Sequence, residues 1–172
     1  ANSATYYVST NGTGTGTSRS DPFSSTSGLA HATNGNTIVF LSGLYTGPLI
    51  ANNVGGTPGN PVTVMSEVLW GAVVANSSER GIRTAGNSSP HMIWDGFCVS
   101  NNVSDGFNLW TDTTVQNCWI ISNNIAGSTL GCGIVVSGAT ATNTVVRWNR
   151  IEGNGPAPDS GNSNTNLTHG MY

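Results

Sequence analysis

Gly106-Phe107-Asn108-Leu109 is the phrase on which the fold turns. Its pattern is glycine, an apolar residue, a free position, then a small or apolar residue. It occurs again as Gly81-Ile82-Arg83-Thr84, as Gly133-Ile134-Val135-Val136, and as Gly170-Met171-Tyr172. A second unit alternates with it: Ile93-Trp94-Asp95-Gly96-Phe97-Cys98-Val99, Val115-Gln116-Asn117-Cys118-Trp119-Ile120, and Val146-Arg147-Trp148-Asn149-Arg150-Ile151. Each second unit runs into asparagine, at Asn101-Asn102, Asn123-Asn124 and Asn154. Returns of about 20 to 40 residues mark a solenoid. A single coil cannot bury its apolar residues, so Ile82, Phe107, Ile134 and Met171 are expected to stack as one internal column. Val99, Ile120 and Ile151 make another. Asparagine tolerates left-handed backbone and hydrogen-bonds from coil to coil, which accounts for its return at one corner. An immunoglobulin-like sandwich also uses short strands and turns, but it has no reason to repeat one Gly-apolar unit and one Asn corner.

Outside the repeats, the first sixty residues form a cap and the first strands. Tyr6-Tyr7-Val8-Ser9 reads as a strand and Thr37-Ile38-Val39-Phe40-Leu41 as a stronger one. Ser25 to Ala32 reads as a short helix, with Leu29 and Ala32 on one face and Gly28 weakening it. A Gly- and Pro-rich loop, Gly55 to Pro61, launches Val62-Thr63-Val64-Met65. The expected organisation is one domain over 1–172: cap and first strands over 1–60, repeating coils over 61–172, and no visible C-terminal cap.

Composition agrees. Charged residues are 8% of the 172-residue chain, against roughly 25% in globular proteins generally. Polarity comes from Asn, Ser, Thr and Gly instead. No apolar run approaches the roughly 20 residues that span a bilayer, so no membrane partner is expected. All five basic residues are arginine and the net charge is −3, so the electrostatic footprint of a nucleic-acid partner is missing. Cys98, Cys118 and Cys132 lack metal-type spacing and allow at most one bridge. Asn-x-Ser/Thr acceptors stand at Asn11, Asn76, Asn87, Asn102 and Asn166.

The chain resembles the pectate-lyase-like superfamily of β-helix proteins, specifically its secreted bacterial members that open with a Tyr-Tyr-Val-Ser strand. The matching pieces are Tyr6 to Gly12, Asp21-Pro22-Phe23, Gly35 to Phe40, Gly43 to Gly47 and Gly59 to Val64. The resemblance implies an all-β, right-handed parallel β-helix with a short N-terminal cap helix, and a secreted protein that meets polysaccharide. It also implies lyase or hydrolase chemistry on acidic polysaccharides, with calcium as the associated metal. The residues themselves assign no catalytic group, so the catalytic residues stay unknown. Lysine, the commonest base for such a lyase, is absent. Asp95, Asp105, Asp112 and Glu152 are too scattered for a calcium site and read as turn or corner residues. No facing carboxylate pair for glycoside hydrolysis is visible. No cofactor or metal ligand set is assigned.

If the Gly-apolar column points inward, then Arg83, Asn108, Val135 and Tyr172 form a column outside, with Trp110 beyond Asn108 on the same side. Arg83, Asn108, Trp110 and Tyr172 are therefore the candidate glycan-binding residues: a charge partner, hydrogen bonds and a stacking ring. A Trp110 folded over its own loop is the competing reading. Trp119 and Arg150, and Gln116 and Arg147, fall on equivalent outward positions, where an Arg–Trp stack between coils is structural. His31, His91 and His169 read as turn or cap residues. Two functions remain open: a protein that binds or cleaves an extracellular polysaccharide, or a non-catalytic β-helix that self-assembles head to tail through its C-terminal end. An ice-binding face is disfavoured, because Thr111, Thr113, Thr142 and Thr144 do not recur in every coil.

Overall fold

Tyr6, Tyr7 and Val8 lie in the strand β1 (Thr5–Val8), the first rung of a stack. The computed structural model describes residues 3–85, 89–110, 112–124, 131–137 and 142–155. After β1 comes the helix α1 (Ser25–Ala30), two residues shorter than its sequence pattern. Ser24 caps it by accepting from the Ser27 N–H, and the backbone of His31 turns away and bonds back to Gly28. Gly28 is the point of closest approach: a Cβ there would lie 2.2 Å from Val8 Cγ2. The residue that weakens the helix is the one that lets it pack on β1.

The remaining strands come in sets of three, one set per coil. The first coil holds β2 (Thr37–Phe40), β3 (Gly43–Thr46) and β4 (Leu49–Ala51). Next come β5 (Val62–Ser66), β6 (Ala72–Ala75) and β7 (Ile82–Thr84). The third has β8 (Met92–Asp95), β9 (Cys98–Ser100) and β10 (Phe107–Leu109). The fourth has β11 (Thr113–Gln116), β12 (Trp119–Ile121) and β13 (Ile134–Val136), and β14 (Val145–Arg147) and β15 (Arg150–Glu152) begin a fifth. They assemble into three sheets: β1-β2-β5-β8-β11-β14, then β3-β6-β9-β12-β15, then β4-β7-β10-β13. Every paired strand is parallel. This is the all-β parallel solenoid that the repeats describe.

The columns stack in register. In the third sheet Phe107 pairs with both Ile82 and Ile134, and Leu49 extends the row below. Ile82, Phe107 and Ile134 are fully buried. In the second sheet Ile120 sits between Val99 and Ile151, with Val74 and Tyr45 below. Met171 lies outside the described residues, as do Gly170 and the whole C-terminal segment on which the missing cap and the head-to-tail contact rest. Between the sheets, Trp94 meets Phe97 and Phe107 edge to face. The repeating glycines serve close packing. A Cβ on Gly106 would lie 2.6 Å from the Gly133 carbonyl oxygen, and one on Gly81 2.8 Å from that of Gly106.

The asparagine corner divides its two tasks between neighbours. Left-handed backbone falls on Asn76, Asn101, Ser122 and Gly153. The following residues, Asn102, Asn123 and Asn154, turn inward and are buried. Asn102 Nδ2 donates to Asn123 Oδ1 at 2.8 Å, and Asn123 Nδ2 to Asn154 Oδ1 at 2.8 Å. Each amide also reaches a backbone carbonyl, of Val74, Val99 and Ile120 respectively. Asn102, with no exposed surface and its amide engaged, is therefore closed to glycosylation in the folded chain. Asn11 and Asn76 are exposed, and Asn87 and Asn166 lie outside the described residues. The three cysteines are buried and unbridged.

Candidate functional site: the outer face of the third sheet

The alternation that buries Ile82 and Phe107 turns the residues after them outward. Ile50, Arg83, Asn108 and Val135 occupy one register row across β4, β7, β10 and β13. Ile50 is exposed and Arg83 half-buried. Asn108 is only 6% exposed, and its Nδ2 donates to Ser137 Oγ at 2.9 Å. It buttresses the row more than it projects from it. Trp110, at the end of β10, is tied to both neighbouring coils through its backbone. Its N–H donates to Thr84 Oγ1, and its carbonyl accepts from Thr144 Oγ1, each at 2.9 Å. The half-buried ring keeps its indole N–H buried, with no acceptor among the described residues. Tyr172 lies outside the described residues.

Asp95, Asp105, Asp112 and Glu152 occupy four separate places. Asp95 accepts from Gln116 Nε2 and Asn117 Nδ2, one per carboxylate oxygen, each at 2.8 Å. Asp105 is buried and accepts from Arg80 Nε at 2.9 Å and from the Cys132 N–H at 3.1 Å. Asp112 sits at a left-handed corner. Glu152 accepts from the Trp119 indole at 2.9 Å and lies 3.0 Å from Arg150 Nε. The indole bond first, with Arg150 adding less, holds its carboxyl below the usual range against the opposing effect of burial. No group of three His, Cys, Asp or Glu side chains that could hold a metal ion occurs among the described residues. With the oxygens of Asp95 and Asp105 already bonded to protein donors, the calcium that the resemblance implies finds no fitting set here.

The outward pairs meet as their register requires. Arg150 lies 5.0 Å above the Trp119 ring, and Trp119 packs on Trp70 with ring centres 5.4 Å apart. Arg147 donates to Gln116 Oε1 from Nε and Nη2, at 2.9 and 2.7 Å. With Asp95 this makes an unbroken polar chain across β8, β11 and β14. Sequence reading paired Gln116 with Arg147 but missed Asp95, whose signal is its equal distance from the following Asn or Gly corner. His31 is the C-cap of α1, stacked on Phe23 at 4.5 Å. His169 lies outside the described residues.

No protein-family model and no curated protein sequence matches the chain. Solved structures do. Pectate lyase Pel9A is similar with a TM-score of 0.66 at 18% identity, over 91% of this chain and 50% of that one. An alginate lyase from Paenibacillus sp. str. FPU-7 gives 0.53 at 20% identity, over 73% and 54%. A rhamnogalacturonan lyase gives 0.55 at 12%, over 82% and 43%. The chain thus spans about half the length of these lyases. Its fold is the parallel β-helix that they share.

Proposed function

We propose that this chain binds an extracellular, uronate-containing polysaccharide along the outer face of its third sheet. What supports the reading is the half-buried Arg83 in the outward register row of the third sheet, beside Asn108, with Trp110 two residues beyond Asn108. A guanidinium there pairs with a uronate carboxylate through two parallel N–H donors. The half-buried Trp110 ring offers an apolar surface to a sugar's C–H face. Pectate and alginate, named by the neighbouring structures, supply the substrate class, and both lie outside cells. Binding is supported more directly than cleavage. The described part of this face offers Arg83 as its basic group, and a guanidinium suits carboxylate pairing better than proton abstraction. Tyr172 would join the face if the next coil continues the register.

Affinity electrophoresis through gels containing polygalacturonate or alginate tests this. The native chain should be retarded, and Trp110→Ala should restore its mobility with little change in thermal midpoint. Unchanged mobility across plant, algal and bacterial glycans would remove the face from consideration.

A further inference from the structure

On the first sheet, a different feature gathers residues that the sequence scatters. His91, Asp112 and Asn143 stand at one corner of three successive coils, just ahead of β8, β11 and β14. All three have left-handed backbone, with φ of 53°, 52° and 54°. Left-handed backbone is the rule at the solenoid's corners, as at Asn76, Asn101 and Ser122, and here it brings three different polar side chains to one column. Asn143 Nδ2 donates to Asp112 Oδ1 at 2.9 Å, so two of the three form a fixed pair. Opposite them stands a loop with Pro58 and Pro61. That loop is built rigid: Thr57 and Asn60 bond to each other through both backbone N–H groups, and Asn60 Nδ2 donates to the Asn34 carbonyl at 2.8 Å. It is tied to the corner as well, through Gly56 N–H to Pro90 O at 3.0 Å and Val62 N–H to His91 O at 2.9 Å.

Between loop and corner lies an open groove of about 320 Å³. Its apolar lining is Pro58, Pro61, Met92 and Ile93, and its polar lining is the corner column with Thr114. That volume is at the low end for small-molecule sites and suits one sugar ring. The polar set is an imidazole, a carboxylate, an amide and a hydroxyl. Together they accept from and donate to hydroxyl groups, while the prolines and Ile93 present C–H surface to the face of a ring. No arginine lines the groove, and the Asp112 carboxylate repels another carboxylate. We infer that this groove is a second saccharide site, taking a single neutral pyranose unit and rejecting uronates. It stands on its own geometry, apart from the third-sheet face.

The test is a titration of the full chain, followed by amide NMR, with free neutral sugars (glucose, galactose, mannose, rhamnose and xylose) and with galacturonate. At least one neutral sugar should shift the amides of His91, Asp112 and Asn143 with millimolar affinity, and galacturonate should not. Asp112→Asn keeps a residue that tolerates left-handed backbone and should weaken the neutral sugar about tenfold, the worth of one charge-assisted bond. Its undisturbed amide spectrum elsewhere shows that it folds. The inference is overturned if no neutral sugar moves these amides, if galacturonate moves them equally, or if Asp112→Asn binds as the native chain does. Failure here leaves retention on polygalacturonate through Arg83 and Trp110 untouched, so the two readings fail separately.

Discussion

Asn102 hands its side-chain amide to Asn123 across 2.8 Å, inside the solenoid and away from water. Asn123 Oδ1 also receives the Asn102 backbone N–H, at 3.4 Å, and its own Nδ2 reaches Val99 O at 3.0 Å and Asn154 Oδ1 at 2.8 Å. One side chain thus satisfies groups on the coil below and the coil above. Asn123→Ala should destabilise the fold by roughly 3 kcal/mol or more, since several buried groups lose partners together. Urea denaturation measures it, and a loss under about 0.5 kcal/mol would show the ladder to be idle.

Ile134 tests the packing of the adjacent column. It is fully buried above Phe107. Ile134→Ala should cost roughly 2–5 kcal/mol, the range for a core residue that leaves a cavity.

Gly28 gives a prediction of opposite sign to helix propensity. Alanine in place of glycine in a helix interior normally stabilises by about 1 kcal/mol. Here the added Cβ would lie 2.2 Å from Cγ2 of Val8, a buried, stiff side chain with nowhere to turn. Gly28→Ala should therefore lower the thermal midpoint. A raised midpoint would mean that α1 moves freely over β1.

Burial pushes the Cys118 thiol up to about 12, partly opposed by backbone N–H groups of Phe97 and Gly96, from an ordinary value of about 8.5. The folded pKa is the higher one, so its contribution is complete below the ordinary value and is lost as pH rises toward 12. Stability should fall over that window by about 1.4 kcal/mol per pH unit for this thiol. Cys118→Ala should flatten the slope. At pH 8, alkylating reagents should modify Cys118 only after unfolding.

The coils were legible because their apolar residues repeat in kind. Ile82, Phe107 and Ile134 share a glycine before them, and for the first two the structure shows why: Gly81 and Gly106 each pass under a carbonyl of the next coil. The first coil was harder to see, since Leu49 and Tyr45 hold column positions without that glycine or the Asn corner. The asparagine corner was read as both a ladder and a left-handed turn; Asn102, Asn123 and Asn154 form the ladder, while their neighbours Asn101, Ser122, Asn124 and Gly153 take the left-handed backbone. The groove was illegible for a plain reason. His91, Asp112 and Asn143 share a backbone conformation and a corner, but no side-chain type, and unequal loops separate them. Arg83 and Trp110 were chosen by alternation alone, which fixes a face and says nothing of how deeply Asn108 sinks into it.

The central claim is that a uronate chain meets the third sheet at Arg83. Calorimetric titration of native protein and Arg83→Gln with oligogalacturonate and oligoalginate, at low and high salt, tests it most directly. One of these ligands should bind, salt should weaken it, and Arg83→Gln should bind about tenfold more weakly with an unchanged thermal midpoint. Equal affinity for native and Arg83→Gln protein, or no heat with either ligand, would contradict it.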